Sequence, residues 1–130
     1  MSKKVLLNHV ALQCLNKEKT EIFFTKILGI PKVKNFTISE DLSESIFGIN
    51  DSIEIEVYES GKAKFEVFIG KSNRTPGYEH ICIEVEDKKE FIDRCKKYGR
   101  EPFIVKKEGK DLLFVRDFSN NLYEIKEIKN

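Results

Sequence analysis

The stretch Gly77–Asp87, GYEHICIEVED, and its earlier counterpart Val5–Asn16, VLLNHVALQCLN, carry the decisive pattern. Both alternate with the period of two that marks a half-buried strand. In the earlier stretch Val10, Leu12 and Cys14 share one face, with His9, Ala11 and Gln13 on the other. In the later one Ile81 and Ile83 face one way, while His80, Cys82 and Glu84 face the other. A shift of 71 residues lays His9 on His80 and Pro31 on Pro102 without a gap, and also aligns Val10 with Ile81, Leu12 with Ile83 and Asn16 with Asp87. Such a match in chemical type, with little identity of letters, is the mark of an internal repeat.

Each copy continues in the same order. After the first strand (residues 5–14), Asn16 can cap a helix whose apolar face holds Ile22, Phe23, Phe24, Ile27 and Leu28. Gly29 ends that helix and Pro31 bars its resumption. Further β-rich stretches are expected at about 32–39, 44–49, 52–58 and 62–69, broken by Ile49-Asn50-Asp51 and Ser60-Gly61-Lys62; 44–58 reads equally as one bent strand or two. The linker-like Ser72–Gly77 (SNRTPG) follows. In the second copy a strand at Tyr78–Val85 leads to a helix at Lys88–Tyr98, stopped by Gly99, and then to strands near 103–107, 111–116 and 121–127. The KKEGKD run at 106–111 reads as a solvated hairpin turn. The expected fold is α+β: two βαβββ modules, about 5–70 and 78–128, within one domain spanning 1–130. Their strands would form a curved, mostly antiparallel eight-stranded sheet with helices on its outer face.

Composition narrows the function classes. The 130 residues carry 23 basic and 22 acidic side chains, so no net field draws the chain to nucleic acid or anionic lipid. No apolar run approaches the roughly 20 residues of a membrane span. The short apolar run at the N-terminus is interrupted by Asn8, His9 and Gln13, which argues against a signal peptide. Three cysteines, Cys14, Cys82 and Cys95, form no CxxC pair and lie in apolar patterns. They read as reduced, buried thiols in a cytosolic protein. The expected partners are a small molecule and a second copy of the chain.

Four residues stand out as a candidate metal site. The only two histidines occupy the same position in their modules, mid-strand and opposite the apolar face. Phe65-Glu66-Val67 mirrors Tyr123-Glu124-Ile125, each placing a Glu between an aromatic and a branched aliphatic in a late strand. A lone strand His or Glu is usually a surface group; the pairing of His9 with His80 and Glu66 with Glu124 is what argues for more. If the modules are related by a pseudo-twofold axis, all four converge on one concave sheet surface. Two imidazoles and two carboxylates suit Zn, Ni, Co, Mn or Fe(II), and each carboxylate cancels one charge of a divalent ion. Glu54, Glu56 and Glu59 also alternate with apolar residues; they read as an exposed strand face, with Glu56 the reserve ligand.

At this point the chain resembles the vicinal-oxygen-chelate superfamily, which includes glyoxalase I, methylmalonyl-CoA epimerase, bleomycin and fosfomycin resistance proteins and extradiol dioxygenases. LNHVALQC…FFTKILGIPKV is similar to the family's first βα unit, GYEHICIEVED to the element opening its second module, and FVRDFSNNLYEIKE to its closing strand pair. Phe118-Ser119-Asn120 replaces the family's Pro-Asp-Gly turn, and Thr25 stands where Tyr is common. The resemblance implies metal ligands at His9, Glu66, His80 and Glu124, and a ligand set most like glyoxalase I. There a divalent metal (Ni, Co or Zn foremost, Mn or Fe as alternatives) holds two adjacent oxygens of a hemithioacetal, and a Glu moves a proton between neighbouring carbons through an enediolate. Glu124 is then the favoured base and Glu66 its opposite number. It also implies a homodimer, with a module of one chain facing a module of the other. The rival readings are an epimerase or extradiol dioxygenase on the same ligands, and a metal-free drug-binding protein of the bleomycin-resistance type.

Overall fold

A computed structural model describes residues 7–70 and 79–129 of the chain. The expected linker Ser72–Gly77, and the outer ends of the expected first strands at Val5, Leu6 and Tyr78, lie outside the described residues. Module one begins with β1 (Val10–Cys14) and α1 (Lys17–Glu21), which continues directly as a π-type helix (Ile22–Ile27). It proceeds through β2 (Lys32–Ile38), α2 (Glu40–Phe47), β3 (Ile53–Ser60) and β4 (Ala63–Ile69). Module two contains β5 (Ile81–Val85), α3 (Lys88–Lys97), β6 (Phe103–Lys107), β7 (Lys110–Arg116) and β8 (Leu122–Glu127).

The βαβββ order is as the repeat predicted, but the eight strands divide into two four-stranded sheets, ordered β1-β4-β3-β2 and β5-β8-β7-β6. In each, the first strand runs parallel to the last and the remaining pairs are antiparallel. The parallel pair needs a crossover, which the first helix of each module supplies. Asn16 caps its helix as expected, accepting from the Lys19 amide at 2.9 Å, and Asp87, its match in the repeat, does the same from the Glu90 amide at 3.1 Å. Gly29 and Gly99 leave the two helices at φ 75° and 87°, a conformation that costs glycine little.

Helices α1 and α3 pack on the same main core. Phe24 stacks on Tyr58 at 4.6 Å and approaches Phe65 at 5.3 Å, while Phe23 meets Tyr123 of module two at 5.0 Å. Phe91 and Cys95 of α3 join Val115, Tyr123 and Ile125 in that cluster. A second link is polar. Buried Asp117 accepts from the Ser119 and Asn121 amides at 2.9 Å each, from the Asn121 side chain at 2.8 Å and from the Tyr123 hydroxyl at 3.0 Å. Cys14 Sγ lies 3.9 Å from the same carboxylate, and Ser119 Oγ accepts from the Leu15 amide at 2.8 Å. The end of β1 is thereby tied to the β7–β8 turn. Asn120 holds φ 69° there, the left-handed geometry that asparagine tolerates better than most residues. It serves where the family's turn has glycine.

Three expectations need correction. The β stretch at 44–49 is instead the end of helix α2 and the turn after it. Ser39 caps that helix by accepting from the Leu42 amide at 3.2 Å, Glu40 and Asp41 fill its first turn, and Gly48 ends it at φ 73°. Cys82 is exposed, whereas Cys14 and Cys95 are buried; burial pushes the Cys95 thiol up to about 12.

The third concerns Glu56, which is fully buried (0% exposed) and not part of a solvent face. Its cross-strand partner Val67 belongs to the helix-facing side of sheet one, so Glu56 lies under α1. There it accepts from the Tyr58 hydroxyl at 2.6 Å and pairs with Lys32 Nζ at 3.2 Å, and Lys32 also reaches Glu21 at 3.4 Å. Burial, then the bond to Glu56, raise the Tyr58 phenol well above its ordinary value. Removing one member of such a set strands its partners away from water. Glu56→Ala should therefore lower the unfolding free energy by about 3 kcal/mol in urea titration; a loss below about 1 kcal/mol would contradict this account.

Candidate functional site

The parallel ladders decide where the four candidate residues go. Ala11 of β1 pairs with Glu66 of β4, and Cys82 of β5 pairs with Glu124 of β8. In both modules, therefore, the residue two places after the histidine opposes the glutamate. Period-two alternation then puts each His and its Glu on the face turned away from α1 and α3. We call this the inner face. His9 Nε2 lies 3.4 Å from Glu66 Oε1, and His80 Nε2 lies 3.7 Å from Glu124 Oε1. All four side chains are partly exposed, between 18% and 44%.

The sequence reading expected the four residues to converge on one surface. The structure brings them together as two pairs, one on each sheet. Among the described residues, no group of three or more His, Cys, Asp or Glu side chains gathers in one place. Glu56, the reserve ligand, lies on the opposite face of its sheet from Glu66 and within the core.

Each pair has the bite of a metal-binding unit. Two bonds of about 2.1 Å meeting near the tetrahedral angle separate their donor atoms by roughly 3.4 Å. His9 is further prepared by a residue the sequence reading passed over. Its Nδ1 lies 2.8 Å from the side-chain oxygen of Asn8, an acceptor that would hold a proton on Nδ1 and leave Nε2, on the Glu66 side, to ligate a metal. Orientation through the second ring nitrogen is the usual support for a ligating imidazole. The signal was an amide directly preceding His9, which, like His80, the structure places one residue ahead of its strand and not at mid-strand as expected. It could not be read without knowing that the backbone folds the two side chains together.

Exposed Cys82 stands beside Glu124 on the inner face of sheet two. Partial burial, then the charge of Glu124, raise its thiol above the ordinary value. A cleft of about 1050 Å³ runs between the start of β1, the β3–β4 turn and β5; His9 lines it, while Glu66, His80 and Glu124 do not. β1 and β5 are both outer strands of their sheets.

Sequence comparison adds the family. A profile described as the glyoxalase/bleomycin resistance protein/dioxygenase superfamily matches residues 8–115. The chain belongs to this superfamily. Solved structures of similar fold include a glyoxalase family protein from Bacillus cereus, with a TM-score of 0.77 and 18% identity over 97% of this chain and 95% of that one. Another glyoxalase family protein, from Enterococcus faecalis, gives 0.70 at 20% identity over 92% and 94% of the two chains. The fosfomycin resistance protein FosX from Listeria monocytogenes gives 0.72 at 17% identity over 98% and 96%. A Gln-substituted form of that FosX, solved with Mn(II) and a dihydroxypropylphosphonic acid, gives 0.70 at 19% identity over 92% and 87%. Identities this low carry the fold and leave the substrate open. No curated protein matches the sequence significantly. No helix among the described residues is long and apolar enough to cross a membrane.

If Asn8 orients the His9 ring, Asn8→Ala should weaken divalent-metal binding by about ten- to a hundredfold while leaving the thermal midpoint nearly unchanged. Competition titration against a chromophoric chelator, beside a melting curve, reads both. Unaltered metal affinity would show that the ring needs no such support.

Proposed function

We propose that the chain is a metal-dependent lyase or isomerase of glyoxalase I type, acting on a small hemithioacetal-like substrate. One observation carries the reading: a His–Glu pair recurs at the same register on the inner face of both sheets. His9, Glu66, His80 and Glu124 are the proposed ligands of a divalent ion, with Ni, Co or Zn the best suited and Mn or Fe as alternatives. Bound there, such an ion supplies Lewis-acid stabilisation of negative charge on two adjacent substrate oxygens.

The chain's own groups do the rest. The carboxylate of Glu124 takes the proton from the carbon bearing the hydroxyl and sulfur, leaving an enediolate, and returns it to the neighbouring carbon, while the hydroxyl proton passes to the former carbonyl oxygen. One C–H and one O–H bond are broken and one of each is formed, and the product is a hydroxy thioester. Glu66 is its counterpart in module one, and Asn8 keeps the His9 ring in one tautomer.

Because one chain offers two pairs and no larger group among the described residues, we propose that a homodimer completes each site. A His9–Glu66 pair of one copy would then face a His80–Glu124 pair of the other. β1 and β5, which end the strand orders of their sheets, are the strands a second copy would approach. His9→Ala and His80→Ala should each abolish tight metal binding when pure. Mixing the two variants should restore it in the heterodimer, where one of two sites is intact. Failure to recover any metal on mixing, with subunit exchange verified by mass, would refute the shared site. For the chemistry, Glu124→Gln should keep metal but lose at least about a hundredfold in isomerisation of a methylglyoxal–thiol hemithioacetal. An equally active variant would move the base to Glu66. A metal-free wild type that still binds an aromatic drug would establish the binding-protein alternative instead.

A further inference from the structure

Module one carries an element that module two lacks. Between β2 and β3 the chain forms helix α2, whereas β6 passes to β7 through the short turn at Glu108-Gly109. Helix α2 stands on the inner face of sheet one: its Phe47 ring meets Phe68 edge-on at 5.4 Å, and Phe68 follows Glu66 by two on β4. Of its eight residues only Ser43 is buried. With about 100° between successive residues, the side opposite Ser43 holds Leu42 and Ile46 on one flank and Asp41 and Glu44 on the other. Ile49, just past the helix, extends the apolar flank, and Leu42, Ile46 and Ile49 are 47%, 59% and 56% exposed. The helix carries Glu40, Asp41 and Glu44 and no basic residue.

Sheet two leaves the corresponding face bare. Every residue of β6 is exposed, among them Phe103 and Val105. The ladder pairs Phe103 with Phe114 and Val105 with Leu112, so these four lie together on the face that bears Glu124. Lys107 pairs with Lys110 on the same face, at the turn end of the hairpin. Like charges directly opposite each other repel, and an anion between them relieves the strain. Among the described residues neither lysine makes an ion pair, and neither do Asp41 and Glu44. The two surfaces therefore match. Each sets an apolar part beside a charged part, the charges are opposite, and the lengths agree at about 12 Å for the helix and about 17 Å for the ladder. Within one chain they do not cover each other, since both stay exposed.

We infer that helix α2 of one copy docks on the inner face of the β6–β7 hairpin of a second copy. Leu42 and Ile46 then lie against Phe103 and Val105, and Asp41 and Glu44 against Lys107 and Lys110. The inference deepens, and rests on, the proposed facing of sheet one by sheet two of another copy. Helix α2 shares its face with Glu66 and the hairpin shares its face with Glu124, so this docking also turns the two His–Glu pairs toward each other. A twofold axis makes the contact occur twice, each chain giving both surfaces. Half-exposed, each of these apolar side chains leaves on the order of 100 Å² uncovered. Two contacts hide roughly 1,000 Å² of apolar surface, which with the charged flanks reaches the size of a specific dimer.

The test is sedimentation velocity at micromolar concentration on chelator-treated protein, so that no metal holds the copies together. Wild type should sediment as a dimer. Asp41→Lys with Glu44→Lys in one variant, and Lys107→Glu with Lys110→Glu in another, set like charges against each other in both contacts. Each variant should weaken the dimer by at least about a hundredfold while circular dichroism shows it folded. Mixed in equal amounts, the two variants should recover a dimer as tight as wild type, and native mass spectrometry should find it heterodimeric. In that pair one contact is native and the other is reversed on both sides. A monomeric wild type, variants that dimerise undiminished, or folded variants that stay monomeric on mixing would each overturn the inference. Metal uptake is read separately on the same samples. A dimer that passes these tests but takes up no Ni(II) leaves the contact standing and refutes the chelation reading, whereas a monomer that binds Ni(II) refutes the contact alone.

Discussion

A parallel ladder between the first and last strands of each module is the constraint on which the site depends. Parallel strands cannot be joined by a tight turn, so the chain must leave the sheet, cross its outer side as a helix and return through two more strands. The helix brings Phe23 and Phe24, or Phe91 and Cys95, onto the outer face and makes it the core. The inner face is left for side chains that do not belong in a core. Register does the remainder: Ala11 opposite Glu66, and Cys82 opposite Glu124, place an imidazole beside a carboxylate in both halves. A slip of one residue would turn the glutamate into the core and an aliphatic residue onto the inner face.

Glu56 shows what that alternation enforces. It differs from Glu66 neither in residue type nor in being flanked by apolar neighbours, yet it lies under α1 and is held by Tyr58 and Lys32. Nearby Glu54, on the same side, is held by Lys17 at 2.6 Å and Asn35 at 2.8 Å, and the bond to Lys17 foremost keeps its carboxyl below the usual range. One strand supplies anchoring carboxylates to the helix side, and its neighbour β4 supplies a chelating candidate to the other.

Much of this was legible in the sequence because it follows from periodicity and caps. The repeat of His9 and His80 with Glu66 and Glu124, the capping Asn16 and Asp87, and the stops at Gly29 and Gly99 are local signals that the folded chain obeys. What was hidden depended on facing. That Glu56 faces the core cannot be read from β3, whose Glu54–Glu56–Tyr58 side looks solvent-facing and whose Ile53–Ile55–Val57 side looks like the core face, although residues of both sides are buried. The segment that forms the end of helix α2 reads as strand because Ile46, Phe47 and Ile49 favour β structure. The Ser39 cap and the Gly48 stop were the overlooked counter-signals. Division of the four ligand candidates between two sheets depends on how the modules pack, on which neither spacing nor residue type bears.

The Asp117 knot gives the chain an order of assembly. The end of β1 finds its polar partners 103 to 108 positions further along, in Asp117, Ser119 and Asn121. A ribosome delivering the chain from its N-terminus exposes β1, α1 and the rest of module one well before those partners emerge. During that interval the Leu15 amide lacks Ser119, the Cys14 thiol lacks Asp117, and Phe23 lacks the ring of Tyr123. Contacts of such long separation close late and carry a large loop entropy. The first module is thus made first and finished last, its surface left open to chaperones or to another chain until the final turn is in place.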